Sequence, residues 1–400
     1  MNWNTSGFYQ HCSNGLHGLL RVDREHTLLP DRLLSRLMEL YVMKRFKSDT
    51  STRALDKNLE RIPELMEKAT VPGLSLTLIR GNRVFCSRAF GVRNRVSQEP
   101  VTPDTVFEAA SLSKPVFAYA SLKLCETGML DLDTPLVEYL PQPYVPDEPR
   151  LELVTMRHVL SHTPGFPNWR PKGQPLRMHF APGERFSYSG EGYVYLQAVI
   201  EHVTGQSSLE YIEATILKPF GMKNSRFVWT GQKDLPVAVG HDENGEPVEK
   251  RLWPEMNAAA SLHCTPADLG KFMLAVMRPS AENTAHLGSE MTKKMLTPQV
   301  QVNDSAPWHE DWPKPTVRVN DLVSWGLGWG IQHTSTGDSF WHWGDNGCYR
   351  AFAAGFPKEG MGVVIMTNGK NGQQAIRDIL HQIVGGDYPG LDWLEQMYGG

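Results

Sequence analysis

The chain predicts an α+β fold in which strands occupy both ends and helices the middle. Near the start, Leu74–Ile79 and Val84–Phe90 form a β-hairpin pattern joined by the turn residues Arg80-Gly81-Asn82. Near the end, Ala351–Phe356 and Gly362–Thr367 read as strands. Between them, helices announce themselves by periodicity and by their caps. A chain of 400 residues allows two or three domains at roughly 150 residues each. Its 40% hydrophobic and 21% charged residues suit a globular enzyme and are too apolar for a disordered chain.

The first 54 residues differ from the rest. Leu33, Leu34, Leu37 and Tyr41 fall at helical spacing, with Arg and Lys on the other face. Over 31–47, five basic residues against Asp31 and Glu39 give 5 − 2 = +3. A basic amphipathic helix fits a membrane surface, but such a stripe more often faces a core. Residues 1–54 are therefore read as an N-terminal extension, helical in part. It is expected to pack on the rest of the chain or on a second subunit.

From Leu55 onward the elements follow in order. Leu55, Leu59, Ile62 and Met66 mark a helix that Pro63 should kink or end. Lys114–Leu124 reads as helical, with Gly128 as terminator. Residues 141–182, rich in Pro and Gly, predict the long loop that usually walls an active site. Ser207-Ser208-Leu209-Glu210 and Thr265-Pro266-Ala267-Asp268 have capping-box form, the second with Pro at the first helical position. Ile376, Ile379, Leu380 and Ile383 mark a closing helix.

Composition excludes several function classes. Lys+Arg 40 against Asp+Glu 44 gives a net charge of −4, without the basic footprint that nucleic acid requires. No run approaches the roughly 18 apolar residues of a spanning helix, and the first 30 residues lack a signal-peptide core. The five cysteines (Cys12, Cys86, Cys125, Cys264 and Cys348) are widely separated and contain no CxxC, which suits reduced thiols in a cytoplasm. His158 and His162 lie at i, i+4 but lack the Glu of His-Glu-x-x-His, so no metal is expected. No Gly-x-Ser-x-Gly elbow occurs.

The chemistry is concentrated in three segments. In Phe107-Glu-Ala-Ala-Ser111-Leu-Ser-Lys114-Pro115, serine and lysine three apart on a helix's first turn are neighbours. A serine hydroxyl needs a base, and lysine serves when burial or nearby cations depress its pKa from about 10.4. The helix N-terminus favours the oxyanion of acyl transfer. Ser-x-x-Lys alone is a common tetrapeptide at helix starts. The second segment, ending Tyr188-Ser189-Gly190, delivers a tyrosine just before a helix over Tyr193–Val203, where it would relay protons if near Lys114. The third, Phe340-Trp-His342-Trp343-Gly344-Asp345, places a glycine beside a strand, where its backbone can approach a substrate. Taken singly, Tyr188 reads equally as a packed loop aromatic and His342 as a surface histidine.

With these segments in order, the sequence resembles the class C β-lactamase and penicillin-binding serine hydrolase superfamily. It is closest in pattern to the family VIII carboxylesterases. The resemblance runs from about Leu55 to Val384 and takes in Val71-Pro-Gly-Leu-Ser, Leu160-Ser-His-Thr-Pro-Gly165, Trp325-Gly-Leu-Gly-Trp329 and Val363-Val-Ile-Met-Thr-Asn368. It implies a β-lactamase-like fold: an antiparallel sheet flanked by helices, built from residues 55–130 and 315–400, with a mainly helical domain (131–314) inserted. It also implies that Ser111 is the nucleophile and that Lys114 and Tyr188 share general-base and general-acid work. The backbone N–H groups of Ser111 and Asp345 would form the oxyanion hole. His342, in place of the Lys of Lys-Thr-Gly, would support the Tyr188 proton and bind a substrate carboxylate or carbonyl.

Two departures shift the expectation toward esters. Gly190 replaces the Asn of Tyr-x-Asn, removing an amide. His342-Trp343-Gly344 replaces Lys-Thr-Gly, losing a permanent cation and adding a bulky ring. Trp343 and Trp169 are then expected to wall an apolar acyl or alcohol pocket. The expected activity is cofactor-free cleavage of small carboxylic esters through an acyl-enzyme on Ser111. The alternatives are a β-lactamase, a D-amino-acid peptidase or an acyltransferase of the same fold, or a catalytically idle homologue used for binding. The expected partner is a small-molecule ester; a homo-oligomer stays open.

Overall fold

A nine-stranded antiparallel sheet organises the protein. The computed structural model describes residues 57–280, 283–303, 319–334 and 337–398. The stripe from Leu33 to Tyr41, with Cys12 and Leu55, lies outside the described residues. In chain order the strands are Gly73–Ile79 (β1), Val84–Asn94 (β2), Glu99–Pro100 (β3), Phe107–Ala110 (β4), Gly240–His241 (β5), Pro247–Val248 (β6), Leu262–Cys264 (β7), Val300–Asn303 (β8), Val319–Trp325 (β9), Gly330–Thr334 (β10), Gly337–Asp345 (β11), Arg350–Phe356 (β12) and Met361–Thr367 (β13). The sheet order is β3-β2-β1-β13-β12-β11-β10-β9-β8, so early and late strands share one sheet. They meet where β1 pairs with β13, Leu76 opposite Ile365. β4 pairs with β7 and β5 with β6 outside this sheet.

β1 is buried at all seven positions, so both faces of the sheet are covered there. Its two hydroxyls are satisfied locally. Ser75 Oγ donates to the Arg88 carbonyl at 3.3 Å, and Thr77 Oγ1 lies 2.8 Å from Ser87 Oγ. The hairpin turn uses the residues read from the sequence: Gly81 has φ +59° and Asn82 φ +57°.

Several helices differ from expectation in instructive ways. Pro63 sits in the first turn of Ile62–Lys68, where its missing N–H costs nothing, so it opens that helix instead of ending one. The helix Ser113–Glu126 buries eleven of its residues, with Gly128 just beyond it at φ +74°. Ser207 and Glu210 form both bonds of a capping box. Thr265 caps Asp268 N–H at 3.1 Å, but the Asp268 carboxylate turns away to Asn224 N–H (2.8 Å) and Lys271 (2.6 Å). The stretch 141–182 holds a 3₁₀ turn, Pro149–Leu153, and a short helix, Met156–Leu160. A last helix, Pro389–Tyr398, escaped the sequence reading; its Trp393 packs 6.1 Å from both Trp341 and Trp343. Among the described residues, no helix is long and apolar enough to cross a membrane.

Candidate active site

β4 runs into the helix Ser113–Glu126 through a tight turn. Ala110 adopts φ +51°, a region that residues with a Cβ rarely enter. Ser113 holds the turn: its Oγ donates to the Ala110 carbonyl at 2.6 Å and accepts from Leu262 N–H at 2.8 Å. Ser111 is thereby left partly exposed at the head of the helix, with its Oγ 3.0 Å from Lys114 Nζ. Lys114 is wholly buried, and its amine also donates to the Ala259 carbonyl at 2.9 Å. Burial drives its pKa well below the usual lysine range. Ser113 and Ala259 were missed in the sequence, because anchors of this kind carry no motif.

Tyr188 lies against the same amine, with Lys114 Nζ 4.6 Å from its ring centroid. Its position follows from the start of the helix Gly190–Thr204. Ser189 caps that helix, accepting from Gly192 N–H at 3.0 Å, while its own N–H donates to His162 Nδ1 at 3.0 Å. Burial pushes the Tyr188 phenol upward; its hydrogen bond with Ser111 pulls the other way. The phenol is therefore neutral near pH 7 and holds a proton to give.

Two buried histidines frame Tyr188. His342 Nδ1 lies 2.7 Å from the Trp343 carbonyl. A carbonyl only accepts, so Nδ1 carries the proton and Nε2 presents a lone pair. Burial, with Lys114 second, lowers the His342 pKa to about 3. A neutral ring with an acceptor nitrogen does not attract a carboxylate, which revises that part of the sequence expectation. His162 has the opposite tautomer. Its Nδ1 accepts from Ser189, so Nε2 holds the proton, and its ring lies 4.3 Å from that of Tyr188. The sequence considered His162 as a metal ligand; packing brings it to Tyr188.

Residues 59–385 match the family model described as Beta-lactamase. The chain belongs to the Beta-lactamase family. Protein flp of Staphylococcus aureus (strain N315) is 26% identical over 339 residues, 80% of this chain and 64% of its own. The chain thus spans less than two thirds of that relative's length. Esterase EstB of Burkholderia gladioli is 32% identical over 219 residues, 47% of this chain and 54% of EstB. An octameric penicillin-binding protein homologue from Pyrococcus abyssi superposes with a TM-score of 0.69 at 28% identity, covering 84% of this chain and 78% of that one. The D-alanine carboxypeptidase AmpC from Burkholderia cenocepacia also reaches 0.69, over 84% and 99%, but at 19% identity it shows the fold alone.

Within this β-lactamase fold, the glycines of the two departing segments have steric reasons. A Cβ at Gly344 would lie 2.2 Å from the Ala109 carbonyl oxygen, because β11 presses against β4 there. The strand leading into Ser111 and the strand ending at Asp345 therefore touch. Gly344→Ala should lower unfolding free energy by about 1–3 kcal/mol and reduce turnover. Denaturant titration and a rate assay check this; unchanged values for both would mean the close approach is dispensable. A Cβ at Gly190 would lie 2.7 Å from the Trp169 ring and 2.8 Å from the Asn168 carbonyl oxygen. Glycine here is thus a packing requirement as well as a lost amide, and Asn at 190 would displace Trp169.

The two candidate pocket tryptophans differ. Trp169 is 44% exposed at the rim, 6.0 Å from Lys114 Nζ. Trp343 is buried, its ring 4.5 Å from Tyr188, and it lines a cleft of about 720 Å³ with Asp345, Arg350, Lys370 and Arg377. His158 Nδ1 accepts from Thr155 N–H at 3.2 Å, while the His162 ring packs against Tyr188. Among the described residues no three His, Cys, Asp or Glu side chains gather at metal-binding spacing.

The buried histidines also make stability depend on pH. Burial lowers His162 well below 6.5, His263 to about 4 and His342 to about 3. Between pH 6.5 and those values the unfolded chain binds protons that the folded chain refuses. The histidine contribution to stability is therefore complete above about pH 6.5 and is lost as the pH drops through this window. Thermal melts from pH 8 to pH 4 should show that loss; a melting temperature rising toward acid contradicts it.

Proposed function

We propose that this member of the Beta-lactamase family is a carboxylesterase acting on small esters through an acyl-enzyme on Ser111. The observation that carries the reading is a wholly buried Lys114 amine 3.0 Å from Ser111 Oγ, with burial as the cause of its lowered pKa. Once neutral, the amine keeps an N–H on the Ala259 carbonyl and turns its lone pair to the serine hydroxyl. Ser111 Oγ attacks the ester carbonyl carbon and its proton passes to Lys114. The oxyanion forms against the backbone N–H groups of Ser111 and Asp345. Tyr188 passes the proton to the departing alcohol, with His342 Nε2 as a neutral acceptor nearby. Water then attacks the acyl-enzyme and gives its proton to the same groups, which return it to Ser111 Oγ as the acyl–oxygen bond breaks and the acid leaves.

The preference for esters rests on what the site lacks and on the similarity to Esterase EstB. A β-lactam is held through its side-chain amide and its carboxylate. Gly190 has no amide to offer, and His342 is neutral. Two missing contacts at about 1–1.5 kcal/mol each amount to roughly 10²-fold. We expect kcat/KM for a short p-nitrophenyl ester to exceed that for a chromogenic cephalosporin by at least about 10²-fold. Both substrates, with a D-alanyl-D-alanine peptide beside them, settle the choice. Comparable values, or a preference for the lactam or peptide, overturn the esterase assignment. A fluorophosphonate probe that leaves Ser111 unmodified would favour the idle homologue.

A further inference from the structure

Behind the nucleophile turn lies a buried ionic cluster that the proposed reaction does not use. Glu108, on β4 three residues before Ser111, is 2% exposed. One of its carboxylate oxygens pairs with Lys250, and His263 Nε2 lies 3.8 Å from the same oxygen. The other accepts from Asn346 Nδ2 at 2.8 Å and from Trp253 Nε1 at 3.4 Å. Lys250 Nζ also sits 4.6 Å from the ring centroid of Tyr349. A carboxylate this deep is tolerable only because it is fully partnered.

The position of Asn346 gives the cluster its meaning. It directly follows Asp345, whose backbone N–H is the proposed second oxyanion donor. Its Nδ2 has two hydrogens, and both are committed: one to Glu108, the other to the Ala260 carbonyl at 3.2 Å. Ala260 in turn follows Ala259, whose carbonyl holds Lys114. One carboxamide therefore ties together the strand leading to Ser111, the turn that seats Lys114, and the turn that carries the oxyanion donor. An Asn-Gly pair suits a hairpin turn on its own account, so the turn itself does not call for a buried carboxylate.

We propose that Asn346 and Glu108 are positioning residues that fix the Asp345 N–H in the oxyanion hole. This rests on the acyl-enzyme reading above. The Asp345 peptide is set by the backbone on either side of it. Anchoring the next side chain to β4 removes the freedom that would let the donor drift from the developing charge.

The test uses the full-length protein, p-nitrophenyl acetate and its thionoester counterpart. Sulfur accepts hydrogen bonds more weakly than oxygen, so the oxo-over-thiono preference reports the oxyanion donors. Asn346→Ala should lower kcat at least about tenfold, leave KM within about threefold, and shrink that preference at least about threefold. The double variant Glu108→Gln with Lys250→Met keeps an acceptor for Asn346 and leaves no lone buried charge. Its preference should stay within about twofold of wild type. Thermal melts confirm that each variant is folded. An Asn346→Ala enzyme with wild-type preference overturns the proposal, as does a double variant that loses as much as Asn346→Ala. Failure of a fluorophosphonate to label wild-type Ser111 would instead remove the underlying hydrolase reading, and this inference with it.

Discussion

Replacing Ser111 by alanine should abolish ester hydrolysis and leave the fold unchanged. The hydroxyl is partly exposed, so its loss opens no cavity in the core. The turn that holds it is secured by Ser113, through the Ala110 carbonyl and Leu262 N–H, and not by Ser111. In the proposed reaction nothing substitutes for it, because Lys114 without a nucleophile has only water to activate. Rate loss should exceed about 10⁴-fold, beyond the roughly 10²–10⁴-fold that general acid–base groups contribute. The covalent mass shift with a fluorophosphonate should vanish in the same variant. A Ser111→Ala enzyme retaining more than about a tenth of wild-type kcat would show that another group attacks the ester.

Lys114→Met should come next, with a loss of at least about 10²-fold and a change in pH dependence. Methionine is close in volume and apolar, so it suits a site in which the lysine is wholly buried. The sign of the pH effect follows from the lowered pKa. Below that pKa the amine is protonated and cannot accept the serine proton, so wild-type kcat/KM rises with pH through it. This limb should lie well below the ordinary lysine value of 10.5. In Lys114→Met the limb should disappear. A wild-type limb above pH 10, or an unchanged profile in the variant, would remove Lys114 from the role of base. Tyr188→Phe, tested beside it, should cost a comparable factor through loss of the phenolic proton.

Much of the architecture was legible in the residues. The hairpin was read from Leu74–Ile79, Val84–Phe90 and the turn at Gly81-Asn82 because alternation and turn chemistry are local. Ser207 and Thr265 marked helix starts for the same reason. Pro63 was misjudged because a proline inside a helix and one in its first turn look alike until the boundary is known. The helix Pro389–Tyr398 was missed, although Trp393 packs on Trp341 and Trp343 once folded.

By itself the sequence determined that strands would stand at both ends, and that Ser111 and Lys114 would be neighbours. Their separation of three residues on one helical turn is a property of the backbone. Tertiary structure decided the rest of the site. Ser111, Tyr188, His162 and His342 are far apart in the chain, and no local rule fixes their distances. The state of each titratable group depended on packing too. The ordinary values are 10.5 for a lysine and 6.5 for a histidine, and burial lowers both Lys114 and His342. Desolvation depends on everything that surrounds a charge, and only the folded chain specifies those surroundings.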